Sequence, residues 1–162
     1  MGLILLLGVC TAAGLLKAFE LKRRIDQLKA LLLTVEQWER EMEFSNADIP
    51  RLMGISGEGK DCPVLMHLRY EPTDRSLEAC YFRAKQETYK EMCFQSDDWI
   101  VADRFFSQFG KSGTVGQKDF CRGIRAQLQA QIEQAEAFRL RHGKLYAAGG
   151  FLCGMLVFLL LI

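Results

Sequence analysis

The residue pattern that could most directly do chemistry is a glycine-rich segment at positions 54–61. Its sequence, Gly-Ile-Ser-Gly-Glu-Gly-Lys-Asp, fits the phosphate-binding loop, in which backbone N–H groups cradle phosphates and a lysine reaches them. The last position departs from that pattern, because Asp61 replaces the serine or threonine whose hydroxyl binds magnesium. A carboxylate there would repel phosphate. We therefore predict a flexible linker and keep an enzyme that uses this loop as an alternative.

The element in front of this segment must be a buried strand if the loop is to bind a nucleotide. Residues 48–53, Asp-Ile-Pro-Arg-Leu-Met, instead predict a turn of helix, since proline fits the first turn of a helix. The similar segment at 110–114, Gly-Lys-Ser-Gly-Thr, is better explained as the end of one helix and the start of the next. No alternating run elsewhere predicts a strand that could supply an acidic magnesium ligand.

The two histidines and six cysteines form no recognisable catalytic or metal-binding pattern. His67 is predicted to pack within a helix, with only Cys62 nearby in sequence, and His142 belongs to a basic segment. The cysteines lack paired spacing, which predicts reduced and mostly buried thiols. The sequence thus predicts no catalytic residue, no metal ion and no cofactor.

Apolar residues at intervals of three or four predict an all-α protein. Two long helices, one near each end of the chain, should lie antiparallel and form a bundle with shorter helices between them. The first apolar stripe is Leu21, Ile25, Leu28, Leu32, Val35, Trp38 and Met42. The second stripe is Cys121, Ile124, Leu128, Ala135 and Phe138.

Capping residues and helix breakers predict where the helices begin and end. Asp61 is expected to cap a short helix, and Ser96, which two aspartates follow, is expected to cap another. Gly110 should end that second helix. Thr114 and Gln117 should form a capping box at the start of the last helix.

Both ends of the sequence are apolar, and every charged side chain lies between Lys17 and Lys144. A helix needs roughly 18 residues to cross about 30 Å of hydrocarbon, and residues 145–162 are just long enough. This segment is therefore predicted to be a transmembrane helix. Residues 1–19 are predicted to be a second, retained anchor and not a cleaved signal peptide, because no basic residue precedes the apolar run. Residues 20–144 then form one cytoplasmic helical domain.

Basic residues flank both predicted spans. Positive residues near membrane ends stay on the cytoplasmic side, and those after the first span also suit anionic lipid headgroups. In the second span, Gly150 and Gly154 lie four apart, which predicts close packing of two spans, either within one chain or between copies. The flanking basic residues are Lys17, Lys22, Arg23, Arg24, Arg139, Arg141 and Lys144.

An acidic cluster follows the first basic flank after about two to four helical turns. It is either a solvated face or a docking surface for a protein partner. The overall balance of 21 basic and 20 acidic residues does not favour nucleic acid as that partner. The acidic cluster consists of Glu36, Glu39, Glu41 and Glu43.

Several short segments stand in an order that matches a known family. They are the N-terminal apolar segment with Gly8 and Gly14, Lys22-Arg23-Arg24, Leu28, Leu31, Leu32, Glu41-Met-Glu-Phe44, Ile49-Pro50, Phe109-Gly110, Gln117, Gly143-Lys-Leu-Tyr146, Gly149-Gly150 and Gly154. In this order and spacing, over essentially its full length, the chain resembles the stage III sporulation protein AB family of endospore-forming Firmicutes. That family is related to the F-domain platform proteins of type II secretion systems.

The resemblance implies a non-enzymatic, helical component of the channel complex between mother cell and forespore, located in the mother-cell membrane. It implies that the cytoplasmic domain receives a hexameric ATPase similar to sporulation protein AA and couples it to other membrane proteins of the channel. The family offers no catalytic residues to carry over. A generic two-span structural or sensory membrane protein is the alternative.

Overall fold

The structure is a computed structural model that describes the backbone of residues 2–45, 49–56, 61–71, 76–111 and 114–160. Side chains are described for residues 12–142 and for residue 149. The exceptions within 12–142 are residue 13 and residues 43–49, 55–60, 72–75 and 112–115. Every regular element in this part of the chain is an α-helix, so the all-α class is confirmed. The helices are α1 (Gly2–Ser45), α2 (Ile49–Ser56), α3 (Pro63–Met66), α4 (Leu77–Thr88), α5 (Ser96–Gln108) and α6 (Thr114–Leu160).

The chain divides into two compact units. Unit 1 comprises Met1–Ile25 and Glu133–Ile162, and unit 2 comprises Asp26–Ile132. The long helices α1 and α6 each contribute residues to both units, whereas the shorter helices belong to unit 2.

The face that α1 buries in unit 2 is close to the predicted apolar stripe. Leu28, Val35 and Trp38 are all fully buried. The next buried leucine after Leu28 is Leu31, whereas the predicted Leu32 is only half-buried. Both leucines satisfy the helical interval, and the rotation of the helix selects between them. The helix is made largely of leucine, alanine, glutamate and lysine, which are strong helix formers, and it ends at Ser45.

Trp38 is the centre of an aromatic cluster between α1 and α5. Its ring centroid lies 5.6 Å from that of Phe105, 5.8 Å from that of Phe106 and 5.0 Å from that of Phe109. These distances lie in the range of favourable aromatic pairs, and such large side chains dominate the energetics of a core. The cluster therefore fixes α5 against the distal part of α1.

Aromatic contacts set the direction of α4 relative to α5. Tyr89, which follows the last residue of α4, stacks on Trp99 near the start of α5 at 5.5 Å. Tyr81, in the middle of α4, stacks on Phe106 further along α5 at 4.4 Å. The two helices therefore run antiparallel.

Hydrogen bonds set the direction of α6 relative to α5. The backbone N–H of Gly110, just after α5, donates to the side-chain oxygen of Gln117 at 3.2 Å. The side chain of Gln131, further along α6, donates to the carbonyl of Asp97 at the start of α5 at 3.0 Å. Thus α6 returns along α5 in the opposite direction.

Gln27 is a fully buried polar residue of α1 that holds the connection between α4 and α5. Its Nε2 donates to the carbonyl of Glu91 at 3.3 Å, and the N–H of Cys93 donates to its Oε1 at 2.8 Å. A buried amide costs free energy unless it is hydrogen-bonded, so these bonds explain how it is tolerated.

The same contacts set the direction of α1 in unit 2. Gln27 contacts the connection just before α5, and Trp38, further along α1, contacts the end of α5. This part of α1 therefore runs in the same direction as α5 and antiparallel to α6.

Two predicted N-caps are wrong. The N-cap of α3 is Cys62 and not Asp61, and its side chain makes no capping bond. The N-cap of α5 is Gln95, so that Ser96 is already helical. The cause lies in Asp98, whose carboxylate accepts the N–H of Gln95 at 2.8 Å and so fixes the start of the helix one residue earlier.

The connection from α5 to α6 has the predicted glycine at the end of α5. Gly110 follows α5 with φ of 81°, a left-handed conformation that glycine adopts without steric cost. The side chain of Thr114 lies outside the described residues, so the predicted capping box stays a prediction, and the side-chain oxygen of Gln117 accepts the N–H of Gly110. One side chain therefore joins the end of α5 to the start of α6.

No helix in the described part of the chain is both long enough and apolar enough to cross a membrane. Most side chains of residues 1–19 and 145–162 lie outside that part, and so do those of Gly150 and Gly154. The two spans and the close packing at these glycines stay predictions.

Candidate functional site

Two members of the acidic cluster form an ion triad with a residue of α6. The guanidinium of Arg125 lies 3.3 Å from a carboxylate oxygen of Glu36 and 3.1 Å from one of Glu39. The exposed fractions of the two glutamate side chains are only 26% and 20%. We call these three residues the Arg125 triad; it connects α1 to α6 within unit 2.

The Arg125 triad has an excess of negative charge. Two carboxylates share one guanidinium, whose planar fork can donate to both. Arg125 Nε is buried without a hydrogen-bond partner among the described residues. A partly buried triad of this kind interacts more strongly than exposed pairs, because water screens it less. The triad can therefore hold α1 against α6 and also create a negative electrostatic potential at the surface.

The other two members of the acidic cluster are placed differently. Glu41 lies 3.9 Å from Arg51 of α2, with 36% of its side chain exposed, and so long an ion pair at the surface contributes little. The side chain of Glu43 lies outside the described residues. Among the three described members, Glu41 is therefore the most accessible to a partner.

The basic flanks lie in unit 1. Lys17, Lys22 and Arg23 of α1 are exposed, and Arg24 is half-buried. The ammonium of Lys17 lies 2.8 Å from the carboxylate of Glu20. In α6, both Arg139 and Arg141 are exposed, whereas the side chain of Lys144 lies outside the described residues.

A polar cluster between α4 and α5 was not predicted from the sequence. The ammonium of Lys85 lies 2.7 Å and 2.8 Å from the two carboxylate oxygens of Asp103, and the hydroxyl of Tyr81 donates to the same carboxylate at 2.7 Å. The ammonium also lies 4.7 Å from the ring centroid of Trp99, a cation–π distance. A lysine four residues after a tyrosine on an apolar face was the signal that could have indicated it.

The polar contacts of this cluster hold α4 against α5. Burial raises the pKa of the Tyr81 phenol well above its usual range, and the hydrogen bond to Asp103 raises it further. The phenol therefore stays protonated at physiological pH and donates to the carboxylate. Phe82 and Tyr89, beside the cluster, expose much of their rings.

The glycine-rich segment begins inside a helix. Gly54 belongs to α2, which has Pro50 in its first turn, so the predicted helical turn before the segment is confirmed. Residues 57–60 lie outside the described part of the chain. Because a nucleotide-binding loop must follow a strand, the helical backbone at 49–56 does not provide the required support.

Each histidine contacts the residue four positions before it in the sequence. The prediction that His67 packs within a helix is wrong, because α3 ends at Met66 and His67 is exposed, with its Nδ1 3.0 Å from the carbonyl oxygen of Pro63. The ring of His142 stacks on Phe138 at 4.2 Å. Among the described residues, no group of three histidine, cysteine, aspartate or glutamate side chains could hold a metal ion.

The described cysteines are not disulfide-bonded, and Cys62, Cys80 and Cys121 are buried whereas Cys93 is half-buried. Burial raises the pKa of Cys62 to about 12, and burial with the nearby charge of Glu39 raises that of Cys121 to about 11. Both values lie above the ordinary 9.0, so the protonated thiols contribute stability below about pH 9 that is lost as the pH rises towards about 12.

The difference in burial predicts selective thiol labelling. At pH 8 we expect iodoacetamide to modify Cys93 at least about tenfold faster than Cys62, since only the thiolate reacts and Cys62 is both protonated and inaccessible. Mass spectrometry of peptides from the folded full chain measures the two rates. In denaturing urea the rates should converge. Equal rates in the folded protein would contradict the buried placement of Cys62.

A comparison with protein families identifies the chain. A family model described as stage III sporulation protein AB matches residues 1–162, which is the whole sequence. No curated protein matches the chain, and no solved structure matches it. The match confirms the resemblance that the order of the short segments indicated. The chain therefore belongs to the stage III sporulation protein AB family and acts in the third stage of sporulation.

Proposed function

We propose that this protein is a membrane platform of the channel complex between mother cell and forespore. Residues 1–19 and 145–162 anchor it in the mother-cell membrane, and the domain between them faces the cytoplasm. That domain docks a hexameric ATPase similar to sporulation protein AA and couples it to other membrane proteins of the channel. The observation that carries this proposal is the family match over the whole chain.

The two long helices suit such a coupling role. Each has one part in the core of unit 2 and another part that leads to an apolar end of the sequence. The Arg125 triad joins them within unit 2, and Trp38 joins α1 to α5. A partner that shifts one of these helices in unit 2 therefore acts on a helix that continues to an anchor.

The acidic cluster is the proposed docking surface for the ATPase. The excess negative charge of the Arg125 triad and the accessible carboxylate of Glu41 would attract a basic patch on a partner. Exposed charges are screened beyond about 8 Å at physiological ionic strength, so such docking weakens as salt rises. The Arg125 triad contributes to this attraction while it stabilises unit 2.

A binding titration tests the proposal. The full chain is inserted into nanodiscs of neutral lipid, and the purified ATPase is titrated by biolayer interferometry at low and high salt. We expect saturable binding that weakens at least about tenfold between about 50 and 500 mM salt, because the attraction is electrostatic. Empty nanodiscs are the control. Absence of binding at both salt concentrations would contradict the platform function.

A further inference from the structure

The described part of α1 in unit 1 exposes large apolar side chains. Leu15, Leu16 and Phe19 are 56%, 63% and 58% exposed. Single exposed apolar residues are ordinary on a protein surface, but three within five positions of one helix form a contiguous apolar patch. This patch requires a partner that offers apolar surface.

Basic residues follow this apolar patch along the same side of α1. Lys22 and Arg23 are both exposed: Lys22 lies three and seven residues after Phe19 and Leu15, and Arg23 lies four, seven and eight residues after Phe19, Leu16 and Leu15, and these intervals return to the same helical face. At about 1.5 Å per residue, the apolar and basic groups are separated by about 5 to 12 Å along the helix axis. One headgroup layer of a bilayer is about 5 to 8 Å thick. The spacing therefore matches the step from hydrocarbon to lipid phosphate.

A second segment of unit 1 combines the same two kinds of side chain. Leu140 of α6 is 79% exposed and stands between the exposed Arg139 and Arg141. No acidic residue lies between Glu136 and Ile162. An arginine stem can follow apolar surface while its guanidinium reaches the phosphate layer. Two separate helices therefore place basic groups beside exposed apolar ones.

We propose that unit 1 binds anionic phospholipid headgroups at the surface of a bilayer through these side chains, which we call the lipid collar. The inference rests on the proposed membrane attachment, and it adds the exposed apolar side chains and the second helix to the anionic-lipid expectation for the first basic flank. Positive charge beside exposed leucine and phenylalanine favours an acidic lipid over a zwitterionic one. The lipid collar consists of Leu15, Leu16, Phe19, Lys22, Arg23, Arg139, Leu140 and Arg141.

Lipid titration of the full chain tests the lipid collar. Native mass spectrometry in a neutral detergent measures the binding of phosphatidylglycerol and of phosphatidylcholine with identical acyl chains. We expect phosphatidylglycerol to bind at least about tenfold more tightly, since each basic residue near an anionic surface contributes about a fivefold factor. The preference should shrink at high salt. Glycerophosphoglycerol, which has the same headgroup without acyl chains, should not bind at millimolar concentration.

Two sets of substitutions locate the effect. The variant K22Q/R139Q/R141Q removes three positive charges from the lipid collar and should lose the preference for phosphatidylglycerol. The matched control R69Q/K90Q/R104Q removes three exposed positive charges from unit 2 and should keep it. Circular dichroism of both variants verifies that the helices are intact.

The outcomes separate this inference from the proposed function. Equal affinity of the wild-type chain for the two lipids, or a preference that survives in K22Q/R139Q/R141Q, would overturn the lipid collar and leave the platform proposal standing. Binding of neither lipid would overturn both the lipid collar and the membrane attachment. Tight binding of free glycerophosphoglycerol would show a headgroup site that needs no bilayer, and would also overturn the inference.

Discussion

Replacement of Leu28 by aspartate is expected to unfold unit 2, whereas the same replacement at Leu33 should leave it folded. The two leucines lie five residues apart on α1, but Leu28 is fully buried and Leu33 is 57% exposed. A buried, unpaired carboxylate costs several kcal/mol, compared with a total stability of about 5 to 15 kcal/mol for a domain of this size. Thermal unfolding followed by circular dichroism, on the full chain in a neutral detergent, measures the difference.

Leu128 provides an independent check from the other long helix. It is fully buried on α6, so that L128D should be as destabilising as L28D. The L33D variant is the matched control, since it has the same substitution on an exposed site of the same helix as Leu28. A similar loss of thermal stability in L28D and L33D would show that the buried face of α1 has been assigned incorrectly.

A charge swap in the Arg125 triad should weaken ATPase binding at least about tenfold at low salt without unfolding the protein. In the variant E36K/E39K/R125E, the ion contacts between α1 and α6 are restored with opposite signs, so we expect the fold to be retained. The net charge of the triad changes from negative to positive, which repels a basic partner surface. Titration with the ATPase at low and high salt measures the effect, alongside thermal unfolding of the same sample.

Two further variants separate docking from support of the fold. E36K/E39K alone places three positive charges together and should be less stable than the charge swap, since the tie between α1 and α6 is lost. R125Q removes the only cation of the triad but keeps both carboxylates, so ATPase affinity should stay equal or increase. Wild-type affinity of the charge swap would assign the triad to stability alone and direct the search for the docking surface to Glu41 or to the exposed aromatic rings beside Lys85.

Helical periodicity predicted the core well because burial depends on a repeat that a sequence displays directly. Trp38 and Leu28 of α1 and Leu128 of α6 are all fully buried, as their spacing indicated. Among the exceptions, Leu32 is only half-buried, and Phe138 has 41% of its residue surface exposed, with its ring against His142. Periodicity assigns a residue to a face, but it does not show where a neighbouring helix ceases to cover that face.

Polar contacts between helices could not be predicted in the same way. The sequence groups the acidic cluster in one stretch, yet its members Glu36 and Glu39 are paired with Arg125, which lies 86 positions after Glu39. Asp103 and Lys85 likewise meet only after α4 and α5 have packed. Helix caps depend more on nearby residues than such pairs do. Even so, the hydrogen bond to Asp98 places the start of α5 one residue earlier than predicted. Such pairs depend on tertiary packing, which one sequence does not specify.

The 86-residue separation between Glu39 and Arg125 also sets an order of events during synthesis. At about 5 to 20 residues per second, α1 leaves the ribosome roughly 4 to 17 s before its partner on α6 exists. The contact of Tyr81 with Asp103 spans only 22 residues, so α4 and α5 can pair while the ribosome is still translating. Until α5 has been made and packs on Trp38, the apolar face of α1 is open to chaperones or to the membrane. Glu36 and Glu39 stay unpaired with Arg125 for longer, so α6 is the last helix to join the core of unit 2.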